Sequence, residues 1–242
     1  MKPFELFYSC VRPMLPALYT EVRRELWKTL NGNGKVPSVL DVGGRKSHYT
    51  IGLPANVHIT DLARQSDLQK ALNLGTNNDI ARQIERRRSN VRWVLFDDMT
   101  NSSIRDNTFD CIVSVEVLEH VEKDADFVRE VHRVLKPGGV FIMTTPNGDY
   151  VTKTAPDHKR HYKRKQLFDL LSANFADVQV RYAIKGGKWR TWGLRAWSVR
   201  RPLKTVLSMV GNVVNSIESS DKKVGEQAQG TFNLVAVARK LR

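Results

Sequence analysis

Short apolar runs recur along the chain, with amphipathic segments between them. Seven runs have the length and the β-branched content of strands, and several are apolar at consecutive positions, as in strands buried on both faces. The predicted strands are 39–42, 57–61, 91–96, 111–115, 140–145, 178–184 and 232–238. Between them, segments such as 124–135 and 165–175 have helical apolar spacing. The alternation predicts an α/β fold with an open, seven-stranded, mostly parallel sheet and helices on both faces.

Two segments stand outside this alternation. Residues 1–37 are predicted to form a helical lead-in, and residues 38–242 a single domain. Residues 185–225 are too long for a turn between the last two strands, so they predict a helical insert before the last strand. An apolar stripe runs through the insert at steps of three and four, and Pro202 should kink or split its helix. The stripe consists of Trp189, Trp192, Ala196, Val199, Leu203, Val206, Val210, Val213 and Ile217.

Charge is concentrated in the second part of the chain. Of the 242 residues, 39 are basic and 25 acidic, a formal net charge of +14. Residues 1–150 carry 20 basic and 19 acidic side chains, whereas residues 151–242 carry 19 and 6. Two cysteines, Cys10 and Cys111, provide neither a disulfide scaffold nor a Cys-rich zinc site. Without a secretory signal or a long apolar run, the sequence predicts a cytoplasmic protein that is at most membrane-associated.

The carboxyl ends of the strands are the predicted ligand edge of such a sheet. The first strand runs into Asp41, Gly43 and Gly44, where glycine lets the backbone turn tightly beside a ligand. The spacing G-x-G-x-x-G is absent, because Arg45 and Ser47 stand where further glycines would be. An ordinary strand-to-helix turn therefore remains open as an alternative.

Carboxylates end the next two strands as well. Asp61 follows the second strand, and Asp97 and Asp98 follow the third. Each could cap a helix, since Asp is favoured at that position. A row of acceptors along one bound nucleoside explains all of them together.

Further motifs are much more specific. The first-strand turn, "FDCIVSVEVLEHV" and "LKPGG" together resemble the class I S-adenosylmethionine-dependent methyltransferases, in particular the methyltransferase type 11 group. The resemblance covers residues 39–175 and resumes at "TFNLVAVARK". It implies a Rossmann-like sheet with an antiparallel last strand and S-adenosyl-L-methionine as cofactor. The implied cofactor-binding residues are Asp41, Gly43, Gly44, Asp61, Asp97, Asp98 and Glu116.

The resemblance also assigns parts of the cofactor to these residues. Asp41 and Gly43 would form the turn around its methionine part. Asp61 would bind both ribose hydroxyls, and Asp98 or its neighbour Asp97 would receive the adenine amine. Tyr49 would take the place of a missing loop glycine, as in some type 11 members.

Candidate catalytic residues follow the fourth and fifth strands. Methyl transfer depends mainly on positioning, so no catalytic triad is expected. Where the acceptor must lose a proton, the candidates are His120, His158 and His161. Glu116, Glu119 and His120 have the spacing i, i+3, i+4, which would place them on one helical face. Packing of His120 against an aromatic ring is the structural alternative.

Four of these side chains could instead bind a divalent cation. Glu116, Glu119, His120 and His158 offer carboxylate and imidazole ligands. The pattern resembles the small-RNA 2′-O-methyltransferases, and ubiquinone-pathway O-methyltransferases share part of it. Most type 11 enzymes need no metal, so our prediction is a metal-free site, with this set as the alternative.

The basic insert has three interpretations. It could cap the active site with its stripe buried on the domain, lie on an anionic membrane surface, or bind RNA through Arg and Trp. We favour them in that order. The predicted function is methylation of a small-molecule or lipid-linked acceptor, with O-methylation preferred. The alternatives are a metal-assisted RNA 2′-O-methyltransferase and a non-catalytic cofactor-binding scaffold.

Overall fold

The structure, a computed structural model, describes residues 2–30, 35–63, 75–152 and 155–242. Residues 1 and 31–34 of the predicted lead-in lie outside these ranges. The strands are β1 (Ser38–Val42), β2 (Asn56–Asp61), β3 (Val91–Phe96), β4 (Phe109–Val115), β5 (Leu135–Pro146), β6 (Asp177–Lys185) and β7 (Thr231–Arg239). The described α-helices are α1 (Pro3–Val11), α2 (Ala17–Leu30), α3 (Asn78–Arg87), α4 (Asp124–Val134), α5 (Arg164–Ser172), α6 (Lys188–Gly193) and α7 (Pro202–Ser219).

The strands form one mixed sheet in the order β3-β2-β1-β4-β5-β7-β6. The pairs among β1 to β5 are parallel, whereas β7 is antiparallel to both β5 and β6. The predicted seven-stranded sheet with an antiparallel last strand is confirmed. Because the direction of chain progress across the sheet reverses at β1, the carboxyl ends of β1 and β4 border the crevice where such sheets bind ligands.

Both faces of the sheet are covered by apolar side chains. On one face, Leu40 and Ile112 pack in the cluster that α4 and α5 complete. On the other face, their neighbours Val39 and Cys111 pack in the cluster that includes Leu26 of α2. Since successive strand residues point to opposite faces, burial on both sides explains why the apolar runs do not alternate with polar residues.

One predicted boundary shifts. The helix predicted over 124–135 ends at Val134, and Leu135 already pairs with Phe109 as the first residue of β5. The motif "LKPGG" therefore lies within β5 rather than before it, with Gly138 at a φ of +77°. A left-handed φ suits glycine, which carries no Cβ to clash there.

The insert folds into α6 and α7, and the break at Pro202 is present, since Pro202 is the first residue of α7. The two helices meet through glycine: a Cβ on Gly211 would lie 2.8 Å from the backbone N of Gly193 and 2.9 Å from the carbonyl O of Trp189. Among the helices of the described residues, none is long and apolar enough to cross a membrane.

The outward face of α7 corrects one interpretation of the insert. The stripe was expected to be buried on the domain, but its members on and just before α7 are exposed except for the half-buried Val213: Val199 98%, Leu203 85%, Val206 56%, Val210 45% and Ile217 69%. The buried residues of α7 are instead Ser208, Gly211, Asn212 and Asn215. The apolar face of this helix points to solvent because its small and polar face packs on the protein.

Candidate cofactor and acceptor site

A cavity of about 520 Å³ opens at the carboxyl ends of the central strands. That volume suits a small ligand or cofactor. Leu18 and Tyr19 of α2 contribute to its wall from the N-terminal segment. Of the predicted site residues, those that line it are Gly43, Asp61, Asp97, Asp98, Glu116 and His120.

The turn after β1 rests on a buried carboxylate. Asp41 is fully buried and accepts hydrogen bonds from the hydroxyls of Tyr49, at 2.8 Å, and Thr50, at 3.0 Å. Arg88, also buried, donates to Thr50 at 2.6 Å. Burial raises the pKa of Asp41, and the hydrogen bonds and the Arg88 charge oppose that rise. A Cβ on Gly44 would collide with the Asp41 carboxyl, so both residues lie beneath the turn rather than in the cavity wall.

Gly43 forms the floor of the cavity at this turn. Its φ is +70°, and a Cβ there would stand 2.6 Å from Cγ2 of Val117. A side chain would therefore be strained and would also fill the space between the β1 turn and the β4 end. Arg45 and Ser47 replace the second and third glycines of the G-x-G-x-x-G spacing. Gly43 is therefore the position in this turn where the backbone can come close to a ligand.

Acidic side chains after β2 and β3 also line the cavity. The Asp61 carboxylate lies 3.6 Å from Nε of Arg45, so one of the residues replacing a loop glycine is paired with the predicted ribose ligand. Asp97 accepts from the backbone N of Ser103 through Oδ1 at 2.9 Å. Asp97 Oδ2 and Thr60 Oγ1 are buried and have no hydrogen-bond partner among the described residues. Buried acceptors of this kind need a partner, which a ligand in the cavity can supply.

Glu116 and Glu119 place two carboxyl groups at the end of β4. Glu116 has a φ of +55°, a left-handed conformation that is costly for a side chain of its size. The short 3₁₀ helix begins only at Leu118 and ends at His120. The prediction that Glu116, Glu119 and His120 share one helical face is therefore wrong.

Hydrogen bonds direct these two carboxyl groups. Glu116 accepts from the hydroxyl of Thr144 at 2.9 Å, and Glu119 accepts from that of Thr145 at 3.2 Å. Removal from water raises the pKa of Glu116 to about 7. Burial and the nearby Glu116 charge raise the pKa of Glu119 as well. Two neighbouring carboxyl groups that share protons titrate as a pair.

The predicted histidines form one cluster at the rim. His120 and His158 meet edge to face with ring centroids 4.7 Å apart, and Nδ1 of His158 lies 2.8 Å from Nε2 of His161. Nδ1 of His120 lies 3.1 Å from the carbonyl O of Asp157. Burial and the two other histidines lower the pKa of His158. Only His120 of the three lines the cavity, and His158 and His161 lie behind it.

The geometry also regroups the predicted metal ligands. Ligand atoms of Glu119, His120 and His158 lie within 4.8 Å of one another, whereas Glu116 is not part of this group. Glu119 is fully buried, and its Oε1 has no hydrogen-bond partner among the described residues. Three of the four predicted ligands are therefore close enough to share one cation.

Sequence reasoning missed the residues that approach Glu116 from distant elements. Arg190 of α6 stacks on the ring of Phe232 at 3.8 Å, and its charge partly offsets the rise in the pKa of Glu116. Asn233 of β7 hydrogen-bonds Glu116, and the Glu116 charge contributes to the raised pKa of Tyr19. No motif marks these residues, because their proximity arises from the packing of the insert and α2 over the sheet.

Residues 40–143 match a family of proteins described as "Methyltransferase domain". Over these residues the chain carries a methyltransferase domain, and its sheet has the class I methyltransferase fold. The matched region begins in β1 and ends in β5, so it contains the turn at Gly43 and the carboxylates that line the cavity, apart from Asp157. The cofactor of this family is S-adenosylmethionine.

Curated relatives of this chain match over limited regions. A probable S-adenosylmethionine-dependent methyltransferase of Mycolicibacterium smegmatis is 37% identical over 79 residues, which are 31% of either chain. A ubiquinone biosynthesis O-methyltransferase of Caulobacter vibrioides is 29% identical over 101 residues, 34% of this chain and 40% of that protein. The chain spans about a third of the length of the curated relatives that it matches first.

Solved structures share the fold over nearly the whole chain. An S-adenosylmethionine-dependent methyltransferase from Archaeoglobus fulgidus superposes with a TM-score of 0.57 at 16% identity and covers 92% of both chains. Phosphoethanolamine N-methyltransferase 2 of Haemonchus contortus, solved with S-adenosylhomocysteine, gives a TM-score of 0.58 at 16% identity over 91% of this chain and 52% of its own. At such identity the likeness concerns the fold.

The cavity residues fit the family's cofactor. Asp61 is an acceptor suited to two ribose hydroxyls, and the unpartnered Oδ2 of Asp97 suits an amine donor. Arg45 and Lys46 in the first turn are cations suited to the methionine carboxylate. The close approach at Gly43 leaves the backbone accessible beside them. The assignment of particular cofactor atoms to particular residues stays a prediction. The same holds for a cofactor role of Asp41 and Gly44, which lie beneath the turn.

Proposed function

We propose that this methyltransferase transfers the methyl group of S-adenosylmethionine to a hydroxyl of a small-molecule or lipid-linked acceptor. When bound, the cofactor supplies an electrophilic methyl group on a positively charged sulfur. The observation that carries the choice of a hydroxyl is Glu116, a cavity-lining carboxyl group whose pKa is raised to about 7. A general base works best when its pKa lies near the working pH.

The residues around Glu116 support a role in proton removal. Thr144 and Asn233 hold its carboxyl group in place by hydrogen bonds. Its left-handed backbone turns the chain at the end of β4, beside the wall formed by Gly43 and Val117. His120, also in the cavity wall, is the next proton acceptor towards the rim.

Cofactor binding is tested by titrating S-adenosylhomocysteine into the whole protein in a calorimeter. The Asp61→Asn variant should bind about 10- to 100-fold more weakly, since hydrogen bonds to a charged acceptor contribute roughly 1.5–3 kcal/mol. Asp169→Asn is the matched control, because Asp169 pairs only on the surface of α5 with Lys165. Absence of heat with the wild type would overturn the proposal.

The acceptor is found by comparing metabolites and lipids of cells with and without the gene. The product should disappear and a compound lighter by one CH₂ group should accumulate. The relative named for ubiquinone biosynthesis makes quinone precursors and other phenolic hydroxyls the first compounds to inspect. Cofactor binding without turnover of any accumulating compound would support the scaffold alternative instead.

Metal-assisted transfer is the second candidate, favoured by the grouping of Glu119, His120 and His158. A cation there would lower the pKa of an acceptor hydroxyl and orient it. Dialysis against a chelator, followed by return of Mg²⁺, Mn²⁺ or Zn²⁺, tests it with the acceptor found above. Loss and recovery of turnover would support the metal, and unchanged turnover after chelation would exclude it.

A further inference from the structure

The insert has an unusual arrangement of its two faces. A helix on a globular protein normally buries its apolar stripe and exposes its polar side. In α7 the described side chains are reversed, with Leu203, Val206 and Val210 exposed and Asn212 and Asn215 buried. We call the exposed side chains Val199, Leu203, Val206, Val210 and Ile217 the outer face.

Specific hydrogen bonds fix this orientation. Asn212 donates to the carbonyl O of Met14 at 2.9 Å, and Asn215 donates to that of Lys185 at 2.7 Å. Ser208 donates to the carbonyl O of Gly193 at 2.8 Å. Turning the helix over would bury aliphatic side chains against these carbonyl groups and leave them unsatisfied, at a substantial cost. The outer face is therefore held outward by the fold.

The charge beside the first part of the outer face is basic, and the first acidic residue of this helix is Glu218, which lies 3.9 Å from Lys185. Between positions 178 and 217 the sequence has eight basic residues and no acidic residue. Arg200, Arg201 and Lys204 are exposed at the start of α7, next to Val199 and Leu203. An aliphatic stripe bordered by cations is the pattern of helices that lie in the headgroup region of a bilayer.

The tryptophans of the insert contact other residues of the insert rather than forming the outer face. The Nε1 of Trp197 donates to Ser208 at 3.1 Å, and Trp189 and Trp192 pack edge to face with centroids 5.2 Å apart. The Trp197 hydrogen bond ties the segment after α6 to α7, whereas Trp189 and Trp192 pack on each other within α6. The outer face itself is aliphatic, so it offers no stacking platform for nucleic-acid bases.

We propose that the outer face of α7, with Arg200, Arg201 and Lys204 beside it, docks this protein on an anionic lipid bilayer. The apolar side chains would enter the interface, and the cations would contact the anionic headgroups. This proposal is independent of the acceptor and of the catalytic mechanism. It would bring the cavity to a membrane surface, where a lipid-linked acceptor resides.

Vesicle flotation of the full chain tests the proposal. The vesicles contain phosphatidylcholine alone or phosphatidylcholine with phosphatidylglycerol. The wild type should float with the anionic vesicles, and high salt should release it, because surface charges are screened. Equal recovery with both kinds of vesicle, or none with either, would overturn the proposal.

Two variants separate the contributions. Leu203→Ser with Val206→Ser and Val210→Ser should weaken binding by about 10-fold or more, since the apolar area that enters the interface is lost. Arg200→Gln with Arg201→Gln and Lys204→Gln should weaken it by on the order of 100-fold, from about fivefold for each cation. The matched control replaces exposed apolar residues outside the insert and should float like the wild type: Val36→Ser, Phe168→Ser and Leu241→Ser.

Calorimetry with S-adenosylhomocysteine checks each variant, and binding equal to that of the wild type shows that the fold is intact. Undiminished flotation of the serine variant would overturn the proposal. Sedimentation velocity without lipid and salt-dependent retention on RNA test the other occupants. If flotation is absent and the wild type forms a dimer that the variants abolish, the outer face binds a second copy of the chain instead. If flotation is absent and the wild type forms an RNA complex that the variants abolish, the outer face binds RNA instead.

Discussion

Glu116 shows how one side chain can combine strain, partial burial and a proton near neutral pH. Its φ of +55° and its raised pKa both follow from its position at the end of β4, where the chain leaves the sheet beside the cavity. Unfavourable backbone conformations of about 1–3 kcal/mol persist where the surrounding structure enforces them, commonly at functional sites. Here the backbone N–H of Glu116 donates to the carbonyl O of Thr144 at 3.1 Å, and the Thr144 hydroxyl donates to its carboxyl group.

The first prediction concerns turnover. Since only the ionised Glu116 can accept a proton, the kcat of the wild type should rise with pH and level off above about 7. Glu116→Gln should lower kcat by about 100- to 10,000-fold and lose this rise. Glu122→Gln, at an exposed position nearby, is the control. A wild-type pH profile in the Glu116→Gln variant would exclude Glu116 as the base.

The second prediction concerns stability. The folded protein holds a proton on Glu116 up to about pH 7, whereas the unfolded chain releases it near the ordinary pKa of 4.5. The stabilisation from this group is therefore complete below pH 4.5 and is lost as the pH rises through about 7. The melting temperature of Glu116→Gln, measured relative to that of the wild type, should be higher at pH 8 than at pH 5, by about 2–4 °C per kcal/mol regained. Thermal unfolding at both pH values measures this, and an identical difference at both would contradict it.

At the residue scale, the sequence located the site but not its geometry. The carboxylates at the strand ends were predictable, because parallel strands bring their carboxyl ends to one edge. The helical face of Glu116, Glu119 and His120 was not, since the i, i+3, i+4 spacing also fits a left-handed residue followed by a 3₁₀ turn. Arg190 and Asn233 reach Glu116 only through tertiary packing.

Among the elements, α7 gives the clearest limit of pattern reasoning. Within α7, the spacing correctly grouped Leu203, Val206, Val210 and Ile217 on one face, and Pro202 marked the start of the helix. The spacing of apolar residues alone does not determine which face of α7 is buried. The buried face is the one whose Asn212 and Asn215 donate to the carbonyl groups of Met14 and Lys185. Neither carbonyl group belongs to α7, so the spacing within the helix carries no information about them.

The third prediction tests the α6–α7 contact. Gly to Ala within a helix usually stabilises by about 1 kcal/mol. At Gly211 the added Cβ would meet backbone atoms of Gly193 and Trp189 at 2.8 and 2.9 Å, so Gly211→Ala should lower the melting temperature instead. Val210→Ala, one residue away on the exposed side, should leave it nearly unchanged. A higher melting temperature for Gly211→Ala than for the wild type would show that the two helices are not in close contact.

For the whole molecule, the cavity joins the sheet to the N-terminal segment. Leu18 and Tyr19 of α2 share its wall with residues that follow β1, β2, β3 and β4. A ligand there should therefore stabilise the domain as a unit. The +14 charge belongs to a different surface, since the cavity wall carries several carboxylates and the excess cations lie in the second part of the chain.

The fourth prediction follows from that linkage. A ligand that binds only the folded state adds about 2.7 kcal/mol at 100 times its Kd. S-adenosylhomocysteine at that concentration should raise the melting temperature of the wild type by several degrees, about 2–4 °C per kcal/mol. Asp61→Asn should show at most half of this rise at the same concentration, since 10- to 100-fold weaker binding leaves about 0.4–1.4 kcal/mol, and Asp169→Asn should show the full rise. An equal rise in Asp61→Asn would exclude Asp61 as a cofactor ligand.

The position of β7 has a consequence for how the sheet is completed. In the sheet β7 lies between β5 and β6, although it follows both of them in the sequence. During synthesis, the neighbouring edges of β5 and β6 therefore wait unpaired until Thr231–Arg239 has emerged. Unpaired edges are sites of aggregation. A chain interrupted within the insert would thus expose two such edges at once. The risk of aggregation is therefore highest while residues 186–230 are being translated.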